Sequence, residues 1–148
     1  MTPAQNLCLF ASGLFLMTGL VTGVWKYLAM MKSENRQAHY YIDTCHRASL
    51  LYSFASLVIL QFVNLSPYSA DLTLFFSALP IAFFAFAIST YLIHGILKDT
   101  ENQFESPHKL GSYSLPKILF HGSMVLLIIA EIGGFGALFV GYLLNYVL

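Results

Sequence analysis

The stretch that decides the fold runs from Gln37 to Asn64 and reads QAHYYIDTCHRASLLYSFASLVILQFVN. It begins with polar residues and continues into about twenty mostly apolar ones, the length at which a helix crosses a bilayer. At about 100° per residue, one helical face carries a row of polar side chains, which we call the polar seam: His39, Asp43, His46, Ser49, Ser53, Ser56 and Asn64. Lipid cannot satisfy polar groups, so we expect the seam to face protein or water and the other segments to pack around it.

The composition indicates an integral membrane protein with a single domain. Of the 148 residues, 57% are hydrophobic and only 9% are charged, whereas soluble domains carry about 25% charged residues. Seven basic and seven acidic residues cancel. The chain therefore has no strongly basic surface of the kind that binds nucleic acid, and its expected surroundings are the lipid bilayer.

Apolar runs and helix boundary signals predict an all-α fold, a bundle of four transmembrane helices. The predicted spans are residues 7–31, 45–65, 72–97 and 117–145. Polar loops at 32–44 and 98–116 separate the first from the second span and the third from the fourth. Prolines punctuate this pattern: Pro67 ends the second span, Pro80 is expected to kink the third, and Pro116 precedes the fourth.

The basic residues predict the orientation. All seven lie in or beside the two polar loops: Lys26, Lys32, Arg36, Arg47, Lys98, Lys109 and Lys117. The positive-inside rule therefore places both loops in the cytoplasm and both termini on the non-cytoplasmic side. We expect a multi-pass protein of a bacterial-type inner (plasma) membrane.

Small residues recur at a spacing that lets helices approach closely. Gly19 and Gly23 form a G-x-x-x-G pair in the first span, and Gly133, Ala137 and Gly141 form a similar ridge in the fourth. Such ridges favour tight helix packing, either within the chain, in a homo-oligomer or in a larger membrane complex.

Three histidines are predicted to meet at the cytoplasmic end of the bundle. His46 opens the second span, His94 lies near the end of the third, and His121 opens the fourth. We predict that these three are cofactor-binding residues in a polar pocket, with Lys26 and Asp99 at its rim. The competing interpretation is that each ring only reaches the headgroup region or caps a helix end.

The candidate cofactors are haem b and a metal ion. Haem needs two imidazoles that face each other, and a metal needs three or more ligands with supporting carboxylates. His39, Asp43 and His46 share one helix face and supply a candidate metal set. Five histidines in the whole chain are too few for a membrane di-iron oxygenase of the histidine-box kind.

Glu131 is a carboxylate well inside the fourth span. It lies roughly 20 Å along the helix from Lys117, near the bilayer midplane. An unpaired carboxylate there costs several kcal/mol. We therefore expect this buried carboxylate to have a hydrogen-bond partner on another helix or to line a wet, functional cavity.

One resemblance to a known family covers the first third of the chain. The glycine-punctuated stretch GLFLMTGLVTG at 13–23, the polar turn with Arg36 and the pair Ala38-His39 resemble the small four-span hydroxylaminobenzene mutase-like membrane proteins. Glu34-Asn35 stands where such proteins tend to carry Asn-Pro. The resemblance implies a membrane-embedded mutase- or isomerase-like enzyme for a small apolar substrate, with Arg36 and His39 as the residues carried over.

Four functions stay open at this point. The favoured one is binding of a small molecule or cofactor in the histidine/carboxylate pocket. The others are a membrane-embedded enzyme, a non-catalytic accessory subunit of a larger membrane complex, and a carrier or proton path through Glu131 and the polar seam. The last would require oligomerisation, because the chain has no internal inverted repeat.

If the three-histidine pocket forms, His94→Ala or His121→Ala should impair function far more than His108→Ala, because His108 is expected in an open loop. Equal effects of the three substitutions would argue against the pocket. A visible absorption spectrum of the purified protein tests the haem interpretation, since bound haem b gives a Soret band.

Overall fold

The computed structural model describes residues 1–148 and contains four long helices and one short hairpin. The helices are α1 (Pro3–Lys32), α2 (Tyr40–Asn64), α3 (Ala70–Leu97) and α4 (Lys117–Tyr146). All four are long and apolar enough to cross a membrane. The predicted all-α, four-helix transmembrane fold is confirmed.

The helices are not packed equally. The α1–α2 pair forms the most extensive interface, α3 contacts both of these helices, and α4 packs mainly on α3 with a smaller contact to α2. The connections 33–39 and 98–116 lie at one end of the bundle, which we call the loop face. The opposite end carries both termini and the short α2–α3 turn.

The polar seam of α2 faces α1. Ser49, Ser53 and Ser56 are buried, and Ser49 and Ser56 donate to backbone carbonyls one turn earlier in α2. Four polar contacts join the two helices: Gln5 with Asn64 (2.9 Å), Ser12 with Ser53 (3.5 Å), the Gly19 carbonyl with His46 (2.8 Å), and Lys26 with Asp43 (2.5 Å). Their α1 members recur every seventh residue, the repeat of left-handed helix pairs.

The G-x-x-x-G pair marks a close contact, as predicted. A Cβ atom at Gly19 would lie 2.6 Å from the Leu50 side chain, and one at Gly23 would lie 2.9 Å from the His46 ring. The two glycines therefore let α2 side chains lie directly against the α1 backbone.

The predicted small-residue ridge of α4 is displaced by one residue at two of its three positions, and Gly141 belongs to both the predicted and the buried row. Gly133 is exposed, with no atom near the position of its absent Cβ. The buried residues of the central and C-terminal parts of α4 are Ala130, Gly134, Leu138 and Gly141. A Cβ atom at Gly134 would lie 2.7 Å from both the Phe76 carbonyl oxygen and Pro80 Cδ. The steps of the buried row are four, four and three residues, whereas the predicted row used only steps of four.

The loop 98–116 contains a hairpin that the sequence did not predict. Strands β1 (Lys109–Leu110) and β2 (Tyr113–Ser114) pair antiparallel, with Lys109 opposite Ser114. Gly111 turns the chain with φ of +60°, a conformation that glycine adopts without strain. Two-residue strands have no periodic pattern, so only the polar character of the loop was visible in the sequence.

Gly134→Ala should destabilise the protein, because the new methyl group meets α3 backbone that cannot move aside. We expect a loss of about 1–3 kcal/mol, typical of overpacking. Gly133→Ala is the matched control: it makes the same chemical change one residue away in open space. Thermal unfolding in detergent, followed by circular dichroism, measures both. Equal unfolding temperatures for the two variants would contradict the packing of α4 on α3.

Candidate functional site

A polar cleft of about 540 Å³ lies at the loop face between the end of α1 and the start of α2. It is the strongest candidate site because charged and hydrogen-bonding side chains from four segments converge there. These are Lys26 of α1, Arg36 of the first loop, His39 and Asp43 at the start of α2, and Glu101 of the second loop. Of the predicted site residues, the cleft therefore contains Lys26, His39 and Asp43.

An ion-pair network forms one wall of the cleft. Asp43 Oδ1 lies 2.5 Å from Lys26 Nζ, and Asp43 Oδ2 lies 2.9 Å from an Arg47 guanidinium nitrogen. The Lys26 and Asp43 side chains are about 30% exposed. Exposed pairs of this kind stabilise a protein by about 0–1 kcal/mol. The network therefore adds little to the free energy of unfolding, and its main effect is to place fixed charges at the cleft.

His39 and Arg36 present donors to the same cleft. His39 Nδ1 accepts a hydrogen bond from the Tyr41 N–H (3.3 Å) and so caps α2. In the neutral ring the proton must then be on Nε2, which makes that nitrogen a donor. Arg36 has φ of 58°, rare for a residue with a Cβ. Its guanidinium donates to the Met31 carbonyl (3.2 Å) and keeps further N–H groups available.

His94 and Asp99 form a buried pair beside this cleft. His94 Nδ1 donates to Asp99 Oδ1 (2.8 Å), and the Gly111 N–H donates to Asp99 Oδ2 (2.5 Å). We call these three residues the loop latch, because they fasten the 98–116 loop to the end of α3. Burial alone would raise the pKa of Asp99, but the hydrogen bonds from His94 and Gly111 outweigh it and hold that pKa below its ordinary value of 3.8.

Tyr41 packs against the loop latch, and nothing in the sequence singled it out. Its ring packs on His94 with centroids 5.0 Å apart, and its hydroxyl accepts a hydrogen bond from the Gln103 N–H (2.7 Å). The only signal in the sequence was the Tyr40-Tyr41 pair at the start of a span. Paired tyrosines there are typical of the membrane interface and give no hint of a specific contact.

The structure does not bring the three predicted cofactor-binding histidines together. His46 donates to the Gly19 carbonyl of α1, and His94 is bound to Asp99. His121 is exposed and meets the edge of the His108 ring with centroids 5.6 Å apart. All three histidines lie near the loop-face ends of their helices, but each helix turns its histidine toward a different neighbour.

The candidate metal set is not assembled either. No group of three histidine, cysteine, aspartate or glutamate side chains is arranged to hold a metal ion. Within the proposed set, Asp43 is engaged by Lys26 and Arg47, His46 points at α1, and the Nδ1 atom of His39 caps α2. Asp99, which we predicted at the rim of the three-histidine pocket, belongs to the loop latch and does not line the cleft.

The expectation of an open environment for His108 is wrong. This side chain is buried, stacks on Phe120 with centroids 4.0 Å apart, and donates from Nδ1 to the Gln103 carbonyl (3.1 Å). The hairpin folds the loop back over the first turn of α4, which the polar composition of the loop did not reveal. His108→Ala should therefore disturb the protein more than His121→Ala.

Glu131 lies far from the loop face, at the middle of the 30-residue helix α4. It lines a groove between α2, α3 and α4. Its Oε1 atom is buried without a hydrogen-bond partner. The expected partner on another helix is therefore not found in this chain.

The loop latch should weaken in acid. Since the folded-state pKa of Asp99 lies below 3.8, its stabilising contribution is complete above that pH and is lost as pH falls through the lower folded value. Asp99→Asn should cost about 2 kcal/mol at neutral pH, the usual size for charge-assisted hydrogen bonds. The difference in unfolding temperature between wild type and variant should then shrink below pH 3.8.

Asp71→Asn is the matched control for this experiment, because Asp71 is an exposed carboxylate at the other end of α3. It should lower the unfolding temperature far less than Asp99→Asn does at neutral pH, because a first-turn carboxylate contributes only about 0.3–1 kcal/mol through the helix dipole. A difference in unfolding temperature between wild type and Asp99→Asn that does not narrow at any pH below 3.8 would refute the latch.

The loop face thus holds two neighbouring polar arrangements with separate contacts. The cleft is open and carries charges of both signs, whereas the latch is closed and holds a loop in place. Comparisons with protein-family models, curated proteins and solved structures find no match for this chain.

Proposed function

We propose that this chain is a multi-pass membrane protein that binds a small polar molecule in the loop-face cleft. The observation that supports the proposal is the convergence of Lys26, Asp43 and His39 on one open cleft of about 540 Å³. The basic residues beside both loops favour a cytoplasmic position for this cleft in a bacterial-type inner membrane.

The side chains of the cleft define the kind of molecule that fits. Arg36 and the Nε2 atom of His39 offer N–H donors, and Glu101 offers acceptor oxygens. Tyr40 and Met30 add apolar surface to the same lining. A small molecule with an acceptor group, a donor group and one apolar face would use all of these contacts.

Native mass spectrometry of the detergent-solubilised protein tests this function, because it detects any small molecule that stays bound. Wild-type protein should carry a non-covalent small-molecule adduct, and the double variant Lys26→Met/Asp43→Asn should lose at least about nine-tenths of it, a difference of roughly 1.4 kcal/mol in binding. Lys117→Met, a loop-face lysine outside the cleft lining, should keep the adduct. Absence of any adduct from the wild type, or equal occupancy in the double variant, would count against the cleft.

A mutase- or isomerase-like enzyme is the second candidate function. The specific support is that Arg36 and His39, the two residues carried over by the family resemblance, both line the cleft. In such an enzyme His39 Nε2 would transfer a proton to or from the bound substrate, and Arg36 would hold a polar group of it.

Hydroxylaminobenzene is the probe for the enzymatic candidate. Wild-type protein should convert it to an isomer of the same mass, and His39→Asn should lower the rate by about 100-fold, as expected for loss of a general acid or base. Asn is a good helix cap, so this variant should keep the start of α2 intact. Conversion at the wild-type rate by the folded variant would remove His39 from the mechanism.

A further inference from the structure

We propose that the groove between α2, α3 and α4 binds a lipophilic amine that enters from the bilayer, with Glu131 as its charge partner. This site is separate from the loop-face cleft and does not depend on its function. The groove has a volume of about 540 Å³, and its lining includes the exposed apolar side chains of Leu51, Phe54 and Ile132. Its walls include Phe54, Val58, Pro80, Phe84 and Phe135, and its one ionisable side chain is Glu131.

The Glu131 carboxyl lacks the partner that its position demands. It lies at the middle of α4, among apolar walls, and its buried Oε1 atom forms no hydrogen bond within the protein. Carboxylates inside a membrane normally pair with another polar group, because hydrocarbon cannot solvate them. A ligand that brings a hydrogen-bond donor into the groove would supply the missing partner.

The groove is too short for a transmembrane helix of another chain. Phe62 of α2 closes the end nearer the termini by packing against Phe135, Phe139 and Tyr142 of α4, with ring centroids 5.1–5.8 Å apart. The α2 residues that line the groove span 51–59, about 12 Å of helix at 1.5 Å per residue. A membrane-spanning helix needs about 30 Å. A small molecule fits within a groove of this length.

The charge of the groove selects an amine among small amphiphiles. All seven basic residues of the chain lie in or beside the two loop-face connections, and none lines the groove. A fatty acid would place a second carboxyl beside Glu131, and a hydrocarbon tail would leave the carboxyl unpaired. A protonated amine instead forms a charge-assisted hydrogen bond with it while its apolar chain contacts the aromatic and aliphatic walls.

Decylamine and 1-decanol are the test probes, because they share one chain length and differ in the head group. Native mass spectrometry of the detergent-solubilised full chain should show one bound decylamine per protein and at least ten-fold weaker binding of decanol. Glu131→Gln should weaken decylamine binding at least ten-fold while leaving decanol binding unchanged.

A second variant keeps the test independent of how Glu131→Gln folds. Gly136 lines the groove and has no atom near the position of its absent Cβ, so Gly136→Leu should fill the groove without touching the carboxylate. It should abolish decylamine binding. Gly133→Leu places the same side chain on the exposed face of α4 and should bind decylamine as the wild type does.

Several results would overturn the proposal. The first is equal decylamine binding by the wild type and by Gly136→Leu. The second is equal binding of the amine and the alcohol by the wild type. The third is a wild-type dimer that Gly136→Leu separates into monomers, with those monomers still binding the amine. Asp43 lines the loop-face cleft and not the groove, so Asp43→Asn should leave decylamine binding unchanged. Failure of the cleft and failure of the groove are therefore distinguishable.

Discussion

The whole structure depends on the pairing of α1 with the polar seam of α2. Four seam residues, Asp43, His46, Ser53 and Asn64, find their partners on α1. In apolar surroundings a polar side chain needs a partner within the protein, and Ser49 and Ser56 find theirs in the backbone of α2 itself. The four α1–α2 contacts, from Gln5–Asn64 to Lys26–Asp43, fix both the rotation of α2 and its register along α1. A shift by one helical turn would break all four. The loop-face cleft is a direct result, because its Lys26–Asp43 wall is the last of these contacts.

Helix α4 is held in a different way, and this difference creates the groove. It has no row of polar contacts. Near the termini it is fixed by the Tyr68 hydroxyl, which donates to the Ala137 carbonyl (3.0 Å), and by Gly134 and Gly141, which let α3 and the α2–α3 turn approach closely. Its contact with α2 is small, so the two helices leave a space between them in which the Glu131 carboxyl has no partner.

The sequence predicted whatever depends on length, hydrophobicity and helical periodicity. The four spans, the inward-facing polar seam and the Gly19–Gly23 contact all followed from such patterns. The three-histidine pocket did not, because the depth of a residue in the membrane says nothing about the direction in which its helix turns it. His121 shows this: it lies in the first turns of α4 as expected, yet it is exposed and contacts His108 and Phe120 instead of His46 or His94. The loop latch was also out of reach, since it depends on a left-handed Lys98 that brings Asp99 back toward His94.

The α1–α2 pair also has a consequence for biogenesis. α2 is the least hydrophobic of the four spans, since the seam replaces apolar side chains along one face. α1 is synthesised first and carries the complementary groups, and only residues 33–39 separate the two helices. The two helices can therefore leave the translocon as a paired hairpin. In this pair α1 contacts the polar side chains of α2 that would otherwise favour water over lipid. Membrane integration of the second helix then depends on the first one being present beside it.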